Sequence, residues 1–265
     1  MADKQRFSPL LVDGLSGQNI EHIVCDMDLL DRDNEILSRD IIGEHQIGLF
    51  EKALKLQLEA LSFAGENVSQ WSLSDKVIVA MAARVFNHLR ASMKLLLSGY
   101  WVESLVLQRS AHETMSRELY FYFNPQQTEQ FFEGKQIKQE EVDKKLAQKF
   151  ADDGNSETIK EIYGDLRKSY KRSSEHSHPN LLAVQLQTFS DTKEDIGSKS
   201  VLGPFLHQDI AALHFAGLIA LAFSATSILA RVACLYQATE AWHEQYKELA
   251  NSVKAMASSY GVSSD

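Results

Sequence analysis

Over most of this chain the apolar residues recur every three to four positions, the period of helices that bury one face. From Glu44 the repeat is Ile47, Phe50, Leu54, Leu58 and Leu61, which predicts a helix ending near Gly65. Ser72-Leu-Ser-Asp75 supplies N-cap residues for a second helix that carries Ile78, Met81, Val85, Leu89 and Leu96 and stops at Gly99. A third helix spans about Tyr100 to Phe123, where Asn124-Pro125 ends it. Residues 126–153 are charged and rich in Gln, yet Phe131, Phe132, Val142, Leu146 and Phe150 are spaced for one or two exposed helices. After the loop Asp152-Asp-Gly-Asn-Ser156, Ser156 caps a helix expected from Glu157 to about Ser177. The chain closes with an apolar helix from about Gln208 to Ala238, a polar amphipathic continuation carrying Trp242, Tyr246 and Leu249, and a frayed polar tail.

Two stretches break the period. Residues 1–44 hold short apolar pieces, Leu10 to Val12, Ile20 to Val24, Ile36-Leu37 and Ile41-Ile42, among many aspartates, and read as an irregular N-terminal arm. Ala183 to Phe189 alternates apolar with polar residues, and Ser200 to Phe205 could return beside it, so residues 183–205 read as a small β-hairpin insertion. The expected fold is all-α: a multi-helix bundle over residues 45–260, built round a long apolar central helix.

At 265 residues and 44% hydrophobic, the chain can bury one full core. A net charge of −9 and a pI near 5.5 argue against a dominant basic face of the kind that coats nucleic acid, and leave room only for a local basic site. The two cysteines, Cys25 and Cys234, have no CxxC spacing, so neither a disulfide framework nor a zinc knuckle is indicated. The longest apolar run near the start, Leu10-Leu11-Val12, is too short for a signal peptide, and a cytoplasmic protein is expected.

Ile210 to Ala230 complicates that expectation, being of bilayer-spanning length with His214 as its one ionisable residue. The segment is rich in Ala, Gly, Ser and Thr and has His207 and Asp209 where basic anchors would stand, which favours a buried central helix and no membrane partner.

Candidate chemistry concentrates in Tyr170-Lys-Arg-Ser-Ser-Glu-His-Ser-His-Pro179. Arg172, a permanent cation, precedes two imidazoles, His176 and His178, that can move protons near neutral pH. On a continuous helix Arg172 and His176 share a face, whereas His178 joins Arg172 only if the helix ends between them, as Pro179 encourages. Arg167, Lys168, Lys171 and Arg172 form a positive stripe suited to a phosphate. The alternative is plain: basic residues and histidines are common in a last turn, where they cap carbonyls and oppose the helix dipole.

Arg109 and Glu113 lie one turn apart in line with Val102 and Val106, which predicts a desolvated ion pair. It either fixes helix packing or orients a catalytic group from a neighbouring helix. His88 reads as a core histidine. His207 and His214 stack at seven residues without an accompanying carboxylate, so no metal or other cofactor is expected. No GxGxxG, P-loop, HExxH or GxSxG motif occurs, which removes the usual signals of dinucleotide enzymes, P-loop kinases, zincins and α/β-hydrolases.

Two segments, Gly99-Tyr-x-x-Glu103-Ser-Leu-Val-Leu-Gln-Arg109-Ser-Ala-His-Glu113 and Tyr170-x-x-x-Ser174-x-x-x-His178-Pro179, resemble the signature patches of a group of bacterial all-helical proteins, the DUF5677-type proteins. The second also resembles the Arg-x(4–6)-His motif of HEPN domains, through Arg172 and His178; together the likeness spans roughly residues 73 to 240. It departs from the HEPN pattern at Ser173, where a polar residue, often Asn, commonly follows the arginine, and in the extra His176, which leaves two candidate histidines.

The resemblance implies a helical homodimer, a metal-independent RNase of a toxin or defence system, and a protein partner such as an antitoxin. It implies His178 as acid/base, Arg172 as phosphate clamp, Ser174 or His176 as positioning groups, and Tyr170, Lys171 and Arg167 as substrate contacts. Arg109 and Glu113 would support them from behind. Since noncatalytic HEPN relatives exist, the other reading is a helical module that binds a protein or a small ligand.

Overall fold

The computed structural model describes residues 20–66, 71–152, 164, 170, 208–232 and 238–259. Among them run eight helices and no strand: α1 (Ile20–Ile42), α2 (Glu44–Glu66), α3 (Leu73–Leu97), α4 (Trp101–Phe123), α5 (Gln127–Phe132), α6 (Gln139–Asp152), α7 (Gln208–Val232) and α8 (Glu240–Ser259). The all-α bundle is as expected, and the β-hairpin is not borne out, residues 183–205 lying outside the described residues.

Local signals set the ends of the middle helices. Ser72 caps α3 in a capping box: its hydroxyl accepts from the Asp75 backbone N–H, and the Asp75 carboxylate accepts from the Ser72 N–H. At the other end Gly99 adopts φ 92°, the Gly99 N–H donates to Leu96 O at 3.1 Å and the Tyr100 N–H to Leu95 O at 2.8 Å, a Schellman closure that needs glycine in the left-handed region. This turn folds α4 back along α3. Two fully buried serines then sew the hairpin, with Ser92 Oγ 2.7 Å from Ser104 Oγ and the Ser104 hydroxyl donating to Ser92 O at 2.9 Å.

Helix α7 is the hub, packing against α1, α2, α3, α4 and α8. By length and composition Ala211–Arg231 could cross a membrane. Here Phe215, Leu218, Ile219 and Ala222 are fully buried against those neighbours, as expected of a central helix. Alanines at 53, 60, 222 and 225 let α2 and α7 approach closely, and Gln57 between them donates to Ala222 O at 2.9 Å and to Thr226 Oγ1 at 3.2 Å. That geometry turns α2 away from its apparent apolar stripe: Leu58 is exposed, while Ala53, Gln57 and Ala60 are buried.

Two sequence expectations need correction. Residues 20–42, read as part of an irregular arm, form α1. Its inward positions are Asn34, Ser38 and Ile42, and Ser38 Oγ donates to Leu97 O at 2.8 Å, so polar residues occupy the face where an apolar period was sought. The polar continuation after the apolar helix is likewise a separate element. Thr239 starts α8, its Oγ1 accepting from the Trp242 N–H at 3.3 Å, and α8 packs on α2 and α7.

Trp242 anchors α8. Its indole is 2% exposed, donates from Nε1 to Leu56 O at 3.1 Å and stacks on Tyr246 with ring centroids 5.5 Å apart. Trp242→Ala is expected to destabilise the protein by about 3–5 kcal/mol through cavity formation and a stranded carbonyl. A denaturant midpoint matching wild type would show that α8 does not belong to the core.

Candidate functional site

Among the described residues of the basic segment only Tyr170 stands, in helical conformation; Arg167, Lys171, Arg172, Ser174, His176 and His178 lie outside them. Tyr170 is seated on α4. Its hydroxyl donates to Glu113 Oε1 at 3.3 Å and accepts from Arg109 Nη2 at 3.4 Å. The Arg109 guanidinium carbon is 5.5 Å from the centre of the Tyr170 ring, a cation–π arrangement, and Arg109 Nε donates to Glu113 Oε1 at 3.2 Å. Arg, Glu and Tyr thus close a triangle at the start of the segment that carries Arg172 and the two histidines. The tyrosine hydroxyl is engaged with the protein, so its role there is to position the segment rather than to touch a substrate.

The ion pair is shallower than the sequence suggested. Arg109 and Glu113 each keep 27% of their side-chain surface exposed, and Val106, in line with them, is exposed. The reason is that α4 buries the opposite face, through Ser104, Leu105, Gln108, Ala111, His112 and Met115. Hydrogen bonds to α3, such as Gln108 Nε2 to Ser104 Oγ at 3.2 Å within the serine seam, let polar residues replace apolar ones there. Because water screens the pair, Arg109→Ala is expected to cost about 1–2 kcal/mol, well below the loss of a fully buried partner. Thermal unfolding checks this, and a loss of about 3 kcal/mol or more would mean that the pair is desolvated after all.

Two titratable groups on α4 escaped the sequence reading. His112 is 1% exposed, meets the Tyr170 ring edge-on at 6.4 Å, and burial pushes its pKa down to about 3, so the imidazole is neutral. Glu118 is also 1% exposed; burial raises its pKa well above the usual carboxylate range, and among the described residues nothing hydrogen-bonds its Oε1. The available signal was their register: His112 and Glu118 share a face with Leu105, Met115 and Leu119.

The other histidines are structural contacts. His88 is half-buried rather than a core residue, its Nε2 accepting from Arg84 Nε at 3.1 Å with Ser110 Oγ 3.4 Å away, and burial followed by the Arg84 charge lowers its pKa. His214 stacks on Trp101 with centroids 5.6 Å apart, while His207 lies outside the described residues. Among the described residues no group of three or more His, Cys, Asp or Glu is placed to hold a metal ion.

Models of known families, curated proteins and solved structures were all compared with the chain, and none matches it.

Proposed function

We propose that this chain is a HEPN-like helical protein that cleaves RNA by internal transesterification. The supporting observation is the docking of Tyr170 on Arg109 and Glu113, which joins segments 61 and 57 residues apart in sequence. These are the two segments that carry the family likeness. In this reading the triangle fixes the helix whose later residues do the chemistry. An imidazole, His178 with His176 beside it, takes the 2′-hydroxyl proton and returns a proton to the leaving 5′-oxygen. The Arg172 guanidinium neutralises the charge that builds on phosphorus. Lys171, Arg167 and Ser174 hold the backbone and its phosphates. The reaction draws on no metal, and the reading carries with it a cytoplasmic homodimer with a protein partner of the antitoxin kind.

The net charge of −9 favours a second reading, a noncatalytic module that binds a protein or a small ligand, with the histidines as helix caps. Incubating the full chain with single-stranded RNA at neutral pH in EDTA decides between them. Cleavage leaving 2′,3′-cyclic phosphate ends supports the nuclease, because attack of the 2′-oxygen that expels the 5′-oxygen forms that ring. RNA left intact ends the nuclease reading.

A further inference from the structure

Helix α1 carries its amphipathic character the wrong way round. The positions it turns to the bundle, Asn34 (3% exposed), Ser38 (0%) and Ile42 (4%), are mostly polar. On the opposite face, at about 100° of turn per residue, stand Leu29, 58% exposed, and Ile36, 64% exposed, flanking exposed Arg32 and Asp33. A lone exposed leucine is ordinary. Two large apolar residues one heptad apart, opposite a polar buried face, mark a second packing surface.

We propose that α1 pairs with the α1 of a second copy of this chain, antiparallel, about a two-fold axis that crosses the helix between Arg32 and Asp33. A second copy fits because the surface is complementary to itself under that operation. Leu29 meets Ile36 of the second copy and Ile36 meets its Leu29. In the same register Arg32 faces Asp33 of the second copy and Asp33 faces its Arg32, so each favourable contact occurs twice. The charges also select orientation, because a parallel pairing would set Arg32 against Arg32 and Asp33 against Asp33. This inference is independent of the nuclease reading, since no residue of the basic segment enters it.

Sedimentation equilibrium on the full chain tests the pairing. Wild type is expected to dimerise in a concentration-dependent manner. Arg32→Asp, which opposes two aspartates twice over, should weaken the dimer by at least about tenfold. Adding Asp33→Arg to it should restore the dimer, because the exchanged charges again face each other in the same register. Circular dichroism should find all three proteins equally helical, as both positions are exposed. A monomeric wild type overturns the proposal, whether the face is bare or covered by the chain's own first residues. So does a dimer indifferent to Arg32→Asp, or one that the double exchange fails to restore.

Discussion

Glu118→Gln is expected to remove a decline in stability that wild type shows as pH rises above neutrality. The Glu118 carboxyl is buried and its folded pKa is raised above the ordinary value of 4.5 by desolvation. Its favourable state, protonated in both folded and unfolded chains, holds fully below that value. As pH rises from there, the unfolded chain loses the proton and the folded chain keeps it, so stability falls by up to about 1.4 kcal/mol per pH unit until the folded group ionises.

His112 works in the other direction. Its folded pKa is depressed from 6.5 to about 3, so the stability it permits is fully present above 6.5 and is lost as pH falls towards 3. Between 4.5 and 6.5 the two slopes oppose each other, and wild type should be most stable in that window. Urea unfolding across pH 3.5–9, wild type against Glu118→Gln, reads the difference directly. The variant should gain on wild type steadily above pH 4.5 and show an uncompensated acid decline below 6.5. Parallel curves would mean that Glu118 is solvated or ionised in the folded protein.

The second large effect falls on activity. His178→Ala should abolish EDTA-resistant cleavage of single-stranded RNA with helicity and melting temperature nearly unchanged, because an imidazole at a helix end contributes mainly proton transfer, commonly about 10²–10⁴ in rate. Arg172→Lys should also cripple cleavage, since an ammonium ion cannot replace a two-pronged guanidinium on a phosphate. A His178→Ala protein that cuts as fast as wild type would remove His178 from the chemistry. Loss of about 0.5–1 kcal/mol of stability, with no cleavage to lose, would instead identify a dipole-capping histidine.

The sequence was readable where one residue type has one local role. Ser72 and Asp75 announce the start of α3, Gly99 its end, and Asn124-Pro125 the end of α4. Apolar spacing failed where burial depends on a distant partner. Asn34 and Ser38 are inside because carbonyls at the end of α3 receive them, and Gln57 is inside because α7 presents Ala222 O. The same blindness misjudged α4: with Ser104, Gln108 and His112 inward, Arg109 and Glu113 moved to its edge. Their pairing was legible from four-residue spacing. The tyrosine that completes the triangle comes from a segment whose approach no local pattern encodes.

The position of α7 has a consequence for how the chain assembles as it is synthesised. The α3–α4 hairpin closes over a three-residue turn and can form as soon as it emerges, since short loops cost little entropy. The contact of Gln57 with Ala222 spans 165 residues and must wait. Until α7 arrives, the apolar faces of α2, α3 and α4 that receive it lie open to water and to neighbouring nascent chains, so the interval before α7 docks is when this protein is most exposed to aggregation and most dependent on chaperones.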